Sequence, residues 1–215
     1  MRPTYTLTDK RRWFEILAVI LTAILKYIVV DWLGFRLFFI VTASLFWFLY
    51  ILSRYKKEED ILLRWGFQNT GFKKTFIFCM PFILIVMLGI IGYSIFFGKG
   101  ISVLNFLSVF GLYPFWGGIQ QFLVAGLVAG NLRSLPFENL NDNQIILLVS
   151  SLFSLAHSPD IYLMAFTLTM ELFFLSAYFR WRNLWALGIL HGWLGGMFLY
   201  FVMHRDLWTE LWILF

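Results

Sequence analysis

The chain has 215 residues and a net charge of +5, and 60% of its residues are hydrophobic whereas only 13% are charged. A soluble domain of this length could not cover its core with so few charges, so the composition excludes an ordinary soluble protein and indicates a helical membrane protein. The single cysteine, Cys79, excludes an intrachain disulfide and a cysteine-based metal cluster.

Apolar runs close to the roughly 20 residues that cross a bilayer recur along the whole chain. They predict about seven membrane helices in an all-α, polytopic transmembrane bundle, and one integral membrane domain that covers residues 1–215. The predicted helices are 13–31, 34–52, 75–97, 103–130, 144–157, 161–179 and 184–203. No small-residue cleavage site follows the first run, so we expect an uncleaved helix.

Basic residues predict the orientation, because cytoplasmic loops of membrane proteins carry an excess of Lys and Arg. They precede the first helix, separate the second from the third, and recur as Arg180 and Arg182 before the last one. We therefore expect a multi-pass protein of a bacterial-type cytoplasmic membrane with its N-terminus in the cytoplasm. These loops account for the positive charge, so the expected partner is the lipid bilayer and not nucleic acid. The loop 53–74 mixes apolar and charged residues, which is typical of a short amphipathic helix at the interface.

Three ionisable residues interrupt the apolar runs of the C-terminal half: His157, Glu171 and His191. A charged group at membrane depth costs roughly 2.5 to 3.5 kcal/mol on insertion scales, so such residues usually serve a function. For Glu171, near the middle of the sixth helix, two hypotheses stay open. It is either a protonated carboxyl that bonds a neighbouring helix, for example at Gln120 or Gln121, or an acid or base in catalysis.

Two adjacent amides, Gln120 and Gln121, lie in the fourth predicted helix. Unsatisfied amides in hydrocarbon cost several kcal/mol, so we expect them to face the bundle interior. They either join helices by hydrogen bonds or line a polar cavity together with His157 and His191.

The order of these residues resembles the CPBP family, which includes the CAAX-prenyl endopeptidases. That family has a Glu-Glu-x-x-x-Arg motif, a Phe-x-x-x-His motif and a His-x-x-x-Asn or Asp motif on three helices. Phe153–His157 matches the second motif in full, and Asn183–His191 resembles the approach to the third. The resemblance covers residues 111–199, which we interpret as a CPBP-like core.

The chain departs from the family at four positions. Gln120 and Gln121 replace the two glutamates, Ala125 replaces the arginine, and Gly195 replaces the Asn or Asp. The resemblance implies that the first glutamate and the histidine of the second motif activate a water, and that the third motif stabilises an oxyanion. Because glutamine cannot take a proton at neutral pH, the usual general base is missing here.

Two functions remain as hypotheses. The first is an intramembrane hydrolase, by resemblance an endopeptidase, that acts on a membrane-embedded peptide, protein or lipid-linked substrate. His157 would then be the base or water ligand, His191 an oxyanion or orienting group, Gln120 and Gln121 positioning amides, and Glu171 a substitute base. The second is a non-catalytic family member that holds a partner's transmembrane segment. Two histidines could supply half of a zinc site, with Glu171 or Asp160 as further ligands, but the spacing demands no metal and we expect no cofactor.

Overall fold

The computed structural model describes residues 8–97, 100–136 and 140–212. Within these ranges the chain forms nine helices and no β-strand, which confirms the predicted all-α bundle. A helix lies at each of the seven predicted positions. In chain order the helices are α1 Asp9–Trp32, α2 Arg36–Lys57, α3 Ile61–Trp65, α4 Phe72–Phe97, α5 (103–134), α6 Asp142–Leu155, α7 Ile161–Trp181, α8 Leu184–Val202 and α9 Leu207–Trp212.

Five of the described helices, α1, α2, α4, α7 and α8, are long and apolar enough to cross a membrane. The chain is therefore a multi-pass membrane protein whose apolar helices suit a lipid bilayer. Helix α6 has 14 residues, which is a length of about 21 Å and less than the roughly 30 Å of a hydrocarbon core. Helix α5 is long enough, but its Gln, Gly, Asn and Tyr residues lower its hydropathy. The seven crossings expected from the sequence stay a prediction.

The starts of α6, α7 and α8 follow from cap residues that precede them. Asn141 and Gln144 form a reciprocal capping box at α6. Asp160 accepts a hydrogen bond from the Leu163 amide at 3.0 Å at the start of α7. Asn183 accepts one from the Ala186 amide at 2.9 Å at the start of α8. Each cap satisfies an amide that the first helical turn would leave unpaired, and so sets where the helix begins.

Contacts between helix ends define the two ends of the bundle. At one end of the bundle, Arg133 forms an ion pair with Asp142 at 2.6 Å, which joins the end of α5 to the start of α6. At the other end, Arg36, the first residue of α2, forms an ion pair with Glu210 of α9 at 2.9 Å. We call the first the basic end, because the described Lys and Arg residues concentrate there, and the second the opposite end.

Helix α3 is the short helix predicted in the loop 53–74, but it packs on the protein. Its Ile61 and Trp65 side chains are only 2% and 5% exposed. The Trp65 ring meets the Phe122 ring of α5 edge to face, with 5.0 Å between centroids. The apolar face of α3 therefore covers the basic end of the bundle core.

A buried ion-pair cluster joins α1, α2 and α5 near the basic end. The Arg54 guanidinium contacts the carboxylate of Glu15 and lies 2.8 Å from that of Glu58. Arg64 adds a second cation to Glu58 at 2.8 Å, and the Asn131 amide donates to Glu15 at 2.6 Å. The Arg54 side chain is 0% exposed, so these partners compensate its charge in place of water.

Candidate functional site

Close contact between α5 and α8 positions the central polar groups. A Cβ atom on Gly117 would lie 2.5 Å from the Gly188 carbonyl oxygen and 2.6 Å from the Gly192 amide nitrogen. A Cβ atom on Gly188 would lie 2.7 Å from the Gly118 Cα atom. The two backbones thus touch along a stripe of glycines, as in small-residue interfaces of membrane helices. One turn beyond Gly117, this approach brings Gln121 of α5 against His191 of α8.

Replacing Gly117 by Ala is expected to destabilise the protein, whereas the same change at Gly118 is not. The new methyl group at position 117 would push against α8 backbone atoms, and overpacking of this kind costs about 1 to 3 kcal/mol. Gly118 has no atom within 4 Å of its Cβ position and is the matched control. Thermal unfolding in detergent compares the two variants. A Gly117→Ala protein as stable as Gly118→Ala would contradict the contact.

Gln121 links Glu171 of α7 to His191 of α8. Its Nε2 atom donates to Glu171 Oε2 at 2.7 Å and lies 2.9 Å from His191 Nδ1. Gln121 and Glu171 are 0% exposed and His191 is 6% exposed. The sequence left two hypotheses for Glu171. The hydrogen bond to Gln121 agrees with the first of them, in which the carboxyl group bonds a neighbouring helix.

His157 lies just beyond the end of α6. Its Nδ1 atom is 2.9 Å from the Phe153 carbonyl oxygen, one helical turn earlier. The Phe153 ring stands between the two histidines, with its centroid 4.8 Å from that of His157 and 5.6 Å from that of His191. A full Phe-x-x-x-His segment thus supplies one imidazole and the ring that separates it from the other.

A cavity of about 430 Å³ lies among α1, α2 and the helices α5 to α9. Gln120, His157 and His191 all line it, and most of the remaining wall is apolar. Gln121 and Glu171 do not line it, because they lie behind His191 within the helix packing. Of the five residues singled out in the sequence, three therefore share one cavity and two support the His191 side chain.

The hydrogen-bond partners assign opposite tautomers to the two histidines. The Phe153 carbonyl oxygen can only accept, so His157 Nδ1 carries the proton and its Nε2 atom keeps a lone pair. The Gln121 amide nitrogen can only donate, so His191 Nδ1 is bare and its Nε2 atom carries the proton. One cavity histidine can take a proton and the other can donate a hydrogen bond.

The positions that depart from the CPBP motifs have different surroundings. Ala125, at the arginine position, is 0% exposed inside the core. Gly195, at the Asn or Asp position, lines the cavity, and a Cβ atom there would meet only His191 Cδ2 at 3.8 Å. The site thus has open space beside His191 where the family carries a polar side chain.

Sequence reasoning missed the charged residues at the opposite end of the cavity. Lys26 and Asp31 form an ion pair at 2.7 Å, and Glu210 forms ion pairs with both Arg36 and Arg205. All five residues line the cavity. The signal in the sequence is that charges are rare on this side of the bundle, so those present at helix ends stand out.

Partial burial alone would raise the pKa of Glu210, but the hydrogen bond and charge of Arg205, with Arg36, outweigh it and lower that pKa. A carboxyl group with a lowered pKa in the folded state stabilises the fold above its unfolded pKa of about 4.5, and this contribution disappears as the pH falls through the folded value. We expect Glu210→Gln to be less stable than the unmodified protein at pH 7 and to approach it as the pH falls below about 4.5 and through the folded pKa of Glu210. Thermal unfolding over this pH range checks this. A difference that does not depend on pH would contradict it.

No group of three or more His, Cys, Asp or Glu side chains is arranged to hold a metal ion among the residues that the structure describes. Glu171 and Asp160, considered above as further zinc ligands, have other partners. Glu171 accepts from Gln121, and Asp160 caps α7.

Comparison of the chain with family models, with curated proteins and with solved structures finds no match in any of the three. The fold and the apolar helices define the class, an all-α multi-pass membrane protein. The resemblance to the CPBP family therefore rests on the sequence motifs alone.

Proposed function

We propose that the protein is a CPBP-like intramembrane hydrolase, an endopeptidase that cleaves a membrane-embedded peptide or a lipid-linked substrate. The observation that carries the proposal is the pair of histidines in one cavity, one with a free Nε2 lone pair and the other with an Nε2 proton. A hydrolase needs both functions, a base for the water and a donor for the oxyanion.

In the proposed reaction, a water molecule held by His157 attacks the carbonyl carbon of a scissile amide whose oxygen faces His191. His157 Nε2 takes one proton from the water as the new C–O bond forms. The electron pair of the carbonyl moves onto its oxygen, and the His191 Nε2–H group donates to that oxyanion. When the C–N bond breaks, the proton on His157 passes to the leaving amine, so the products are a carboxylic acid and an amine.

The wall of the cavity favours a substrate that is mostly apolar. Most lining residues are apolar, and every helix that borders the cavity contributes some of them. Gln120 is a lining amide that could bind the peptide group beside the scissile bond. A transmembrane peptide or a lipid-modified peptide combines an apolar surface with amide bonds.

We also propose which end of the bundle faces the cytoplasm. The basic end, which carries Arg180 and Arg182 between α7 and α8, would face the cytoplasm of a bacterial-type cell. The charged mouth of the cavity, with Arg36 and Glu210, would then face the outer side of the cytoplasmic membrane. Cysteine accessibility at exposed positions of the two ends tests this orientation.

A second candidate is a non-catalytic protein that holds a partner's transmembrane segment in the same cavity. One observation favours it: the carboxylates that line the cavity, Asp31 and Glu210, are engaged in ion pairs at its charged end. Neither is hydrogen-bonded to a cavity histidine among the residues that the structure describes. A binding role needs only the apolar wall.

The experiment that separates the two uses purified protein in liposomes with two internally quenched probes. One probe is a single-spanning apolar peptide, and the other is a farnesyl-cysteine peptide. The hydrolase proposal expects a fluorescence increase with at least one probe and matching peptide fragments in mass spectrometry. Binding of a probe without any fragment would overturn the hydrolase and support the second candidate.

A further inference from the structure

Gln121 and Glu171 lie outside the cavity, but Gln121 is hydrogen-bonded to His191, which lines it. The Gln121 amide nitrogen lies between Glu171 Oε2 at 2.7 Å and His191 Nδ1 at 2.9 Å. Both Gln121 and Glu171 are 0% exposed. Neither can touch a substrate in the cavity, so any part they take in the reaction must pass through His191.

We propose that Glu171 and Gln121 are positioning residues that hold His191 in the tautomer with its proton on Nε2, and so make it a hydrogen-bond donor in the cavity. The inference deepens the proposed function and rests on it for the role of that donor. The tautomer itself is a property of the chain that can be measured without a substrate.

The Gln121 amide can face the His191 ring in two ways. An amide nitrogen turned towards His191 Nδ1 donates to it, and the ring proton then sits on Nε2. An amide oxygen turned towards Nδ1 would accept a proton from it, and Nε2 would be bare. The orientation of one buried amide therefore decides whether His191 presents a donor or a base to the cavity.

Glu171 selects the first orientation. The Glu171 Oε2 atom accepts from the Gln121 amide nitrogen at 2.7 Å, and with this contact in place the amide nitrogen, not the amide oxygen, faces both Glu171 and His191. The oxygen of this amide, Gln121 Oε1, has no hydrogen-bond partner in the part of the chain that the structure describes. No further group thus competes with Glu171 for control of the amide.

The same geometry argues against Glu171 as the general base. Glu171 does not line the cavity, and the Gln121 amide lies between it and His191. A base must come within hydrogen-bond reach of the water it activates. His157, which lines the cavity, meets this condition for water held there, and Glu171 does not.

The test exchanges the two side chains. The double variant Gln121→Glu with Glu171→Gln keeps the same two groups, the same net charge and the same shape. The carboxylate now faces His191 Nδ1 and can only accept, so the ring proton should move from Nε2 to Nδ1. Glu171→Gln alone removes the carboxylate that selects the amide orientation, and should give a mixture of tautomers.

The measurement is the nitrogen NMR spectrum of the protein labelled with ¹⁵N-histidine in lipid bilayers, which distinguishes protonated from bare ring nitrogens. The chain has three histidines, so substituting His157 and His204 one at a time assigns the three signals. In the unmodified protein we expect an Nε2–H tautomer for His191 and an Nδ1–H tautomer for His157. In the exchange variant we expect Nδ1–H for His191 and an unchanged His157.

Turnover of the cleaved probe supplies the second readout. Loss of an oxyanion donor lowers kcat by about 10² to 10³-fold where such a donor has been removed from other enzymes. We expect a loss of this size in the exchange variant with little change in KM, because the cavity wall is the same. An Nδ1–H tautomer for His191 in the unmodified protein, or an unchanged tautomer after the exchange, would overturn the inference. If neither probe is cleaved by the unmodified protein, the hydrolase proposal fails and the NMR result alone decides the positioning role.

Discussion

His157→Ala is expected to reduce cleavage of the liposome probes by about 10² to 10⁴-fold, the range that a positioned general base contributes. The His157 side chain is half-buried beyond the end of α6, and within the described part of the chain its Nδ1 atom is hydrogen-bonded to the Phe153 carbonyl of its own turn. Its removal should therefore leave expression and the unfolding temperature in detergent nearly unchanged. The loss should appear in kcat and not in probe binding.

The third histidine provides the control. His204 is exposed, precedes α9 and does not line the cavity. His204→Ala should cleave the probes at the rate of the unmodified protein. Equal amounts of product with and without His157 would eliminate it as the base. Weaker retention of the single-spanning probe by His157→Ala, with no fragment from either protein, would favour the binding role.

Helix starts could be predicted in the C-terminal half because their signals are local. The sequence places the sixth and seventh helices at 161–179 and 184–203, and the structure has Ile161–Trp181 and Leu184–Val202. Asp160 and Asn183 stand directly before these helices and cap them with their own side chains. An N-cap acts within four residues, so a single sequence contains the information.

The end of α2 could not be predicted, because a distant residue decides it. The sequence ends this helix at residue 52 and assigns Arg54 to a cytoplasmic loop, whereas the structure continues the helix to Lys57. Arg54 turns inward to Glu15, which is 39 positions earlier in the chain. A basic residue near a membrane boundary looks like a loop residue unless its buried partner is known.

The sequence also could not decide between the two glutamines. Adjacent residues on a helix point about 100° apart, so one of Gln120 and Gln121 faces the cavity and the other faces a helix. Which one does so depends on the rotation of α5, and the contact of Gly117 with Gly188 and Gly192 sets that rotation. Gly188 and Gly192 follow Gly117 by 71 and 75 positions, so this information is not contained in local periodicity.

The ion-pair cluster matters for the site because α1 supplies one wall of the cavity. Glu15 lies on α1 and is bound by Arg54 of α2 and by Asn131 of α5. The same helix contributes cavity residues from Val19 to Asp31. The cluster thus attaches the outer helices α1 and α2 to the helices that carry the histidines.

Arg54→Leu is expected to cost about 3 to 5 kcal/mol, because it leaves the carboxylates of Glu15 and Glu58 buried without their shared cation. For a chain of this size that corresponds to a fall of about 6 to 20 °C in the unfolding temperature. Arg64→Leu is the matched control. The Arg64 side chain is 42% exposed and Glu58 keeps Arg54 when Arg64 is removed, so Arg64→Leu should cost less than Arg54→Leu.

Adding Glu15→Gln to Arg54→Leu should recover part of the loss, because it removes the Glu15 charge, whereas Glu58 still has Arg64 at 2.8 Å, and it keeps an acceptor for the Asn131 amide. Thermal unfolding in detergent at pH 7 ranks the variants, and probe binding reports whether the cavity wall has loosened. If Arg54→Leu unfolds at the temperature of Arg64→Leu, the cluster does not hold α1 against the bundle. The apolar contacts of α1 with α5 would then hold the cavity together by themselves.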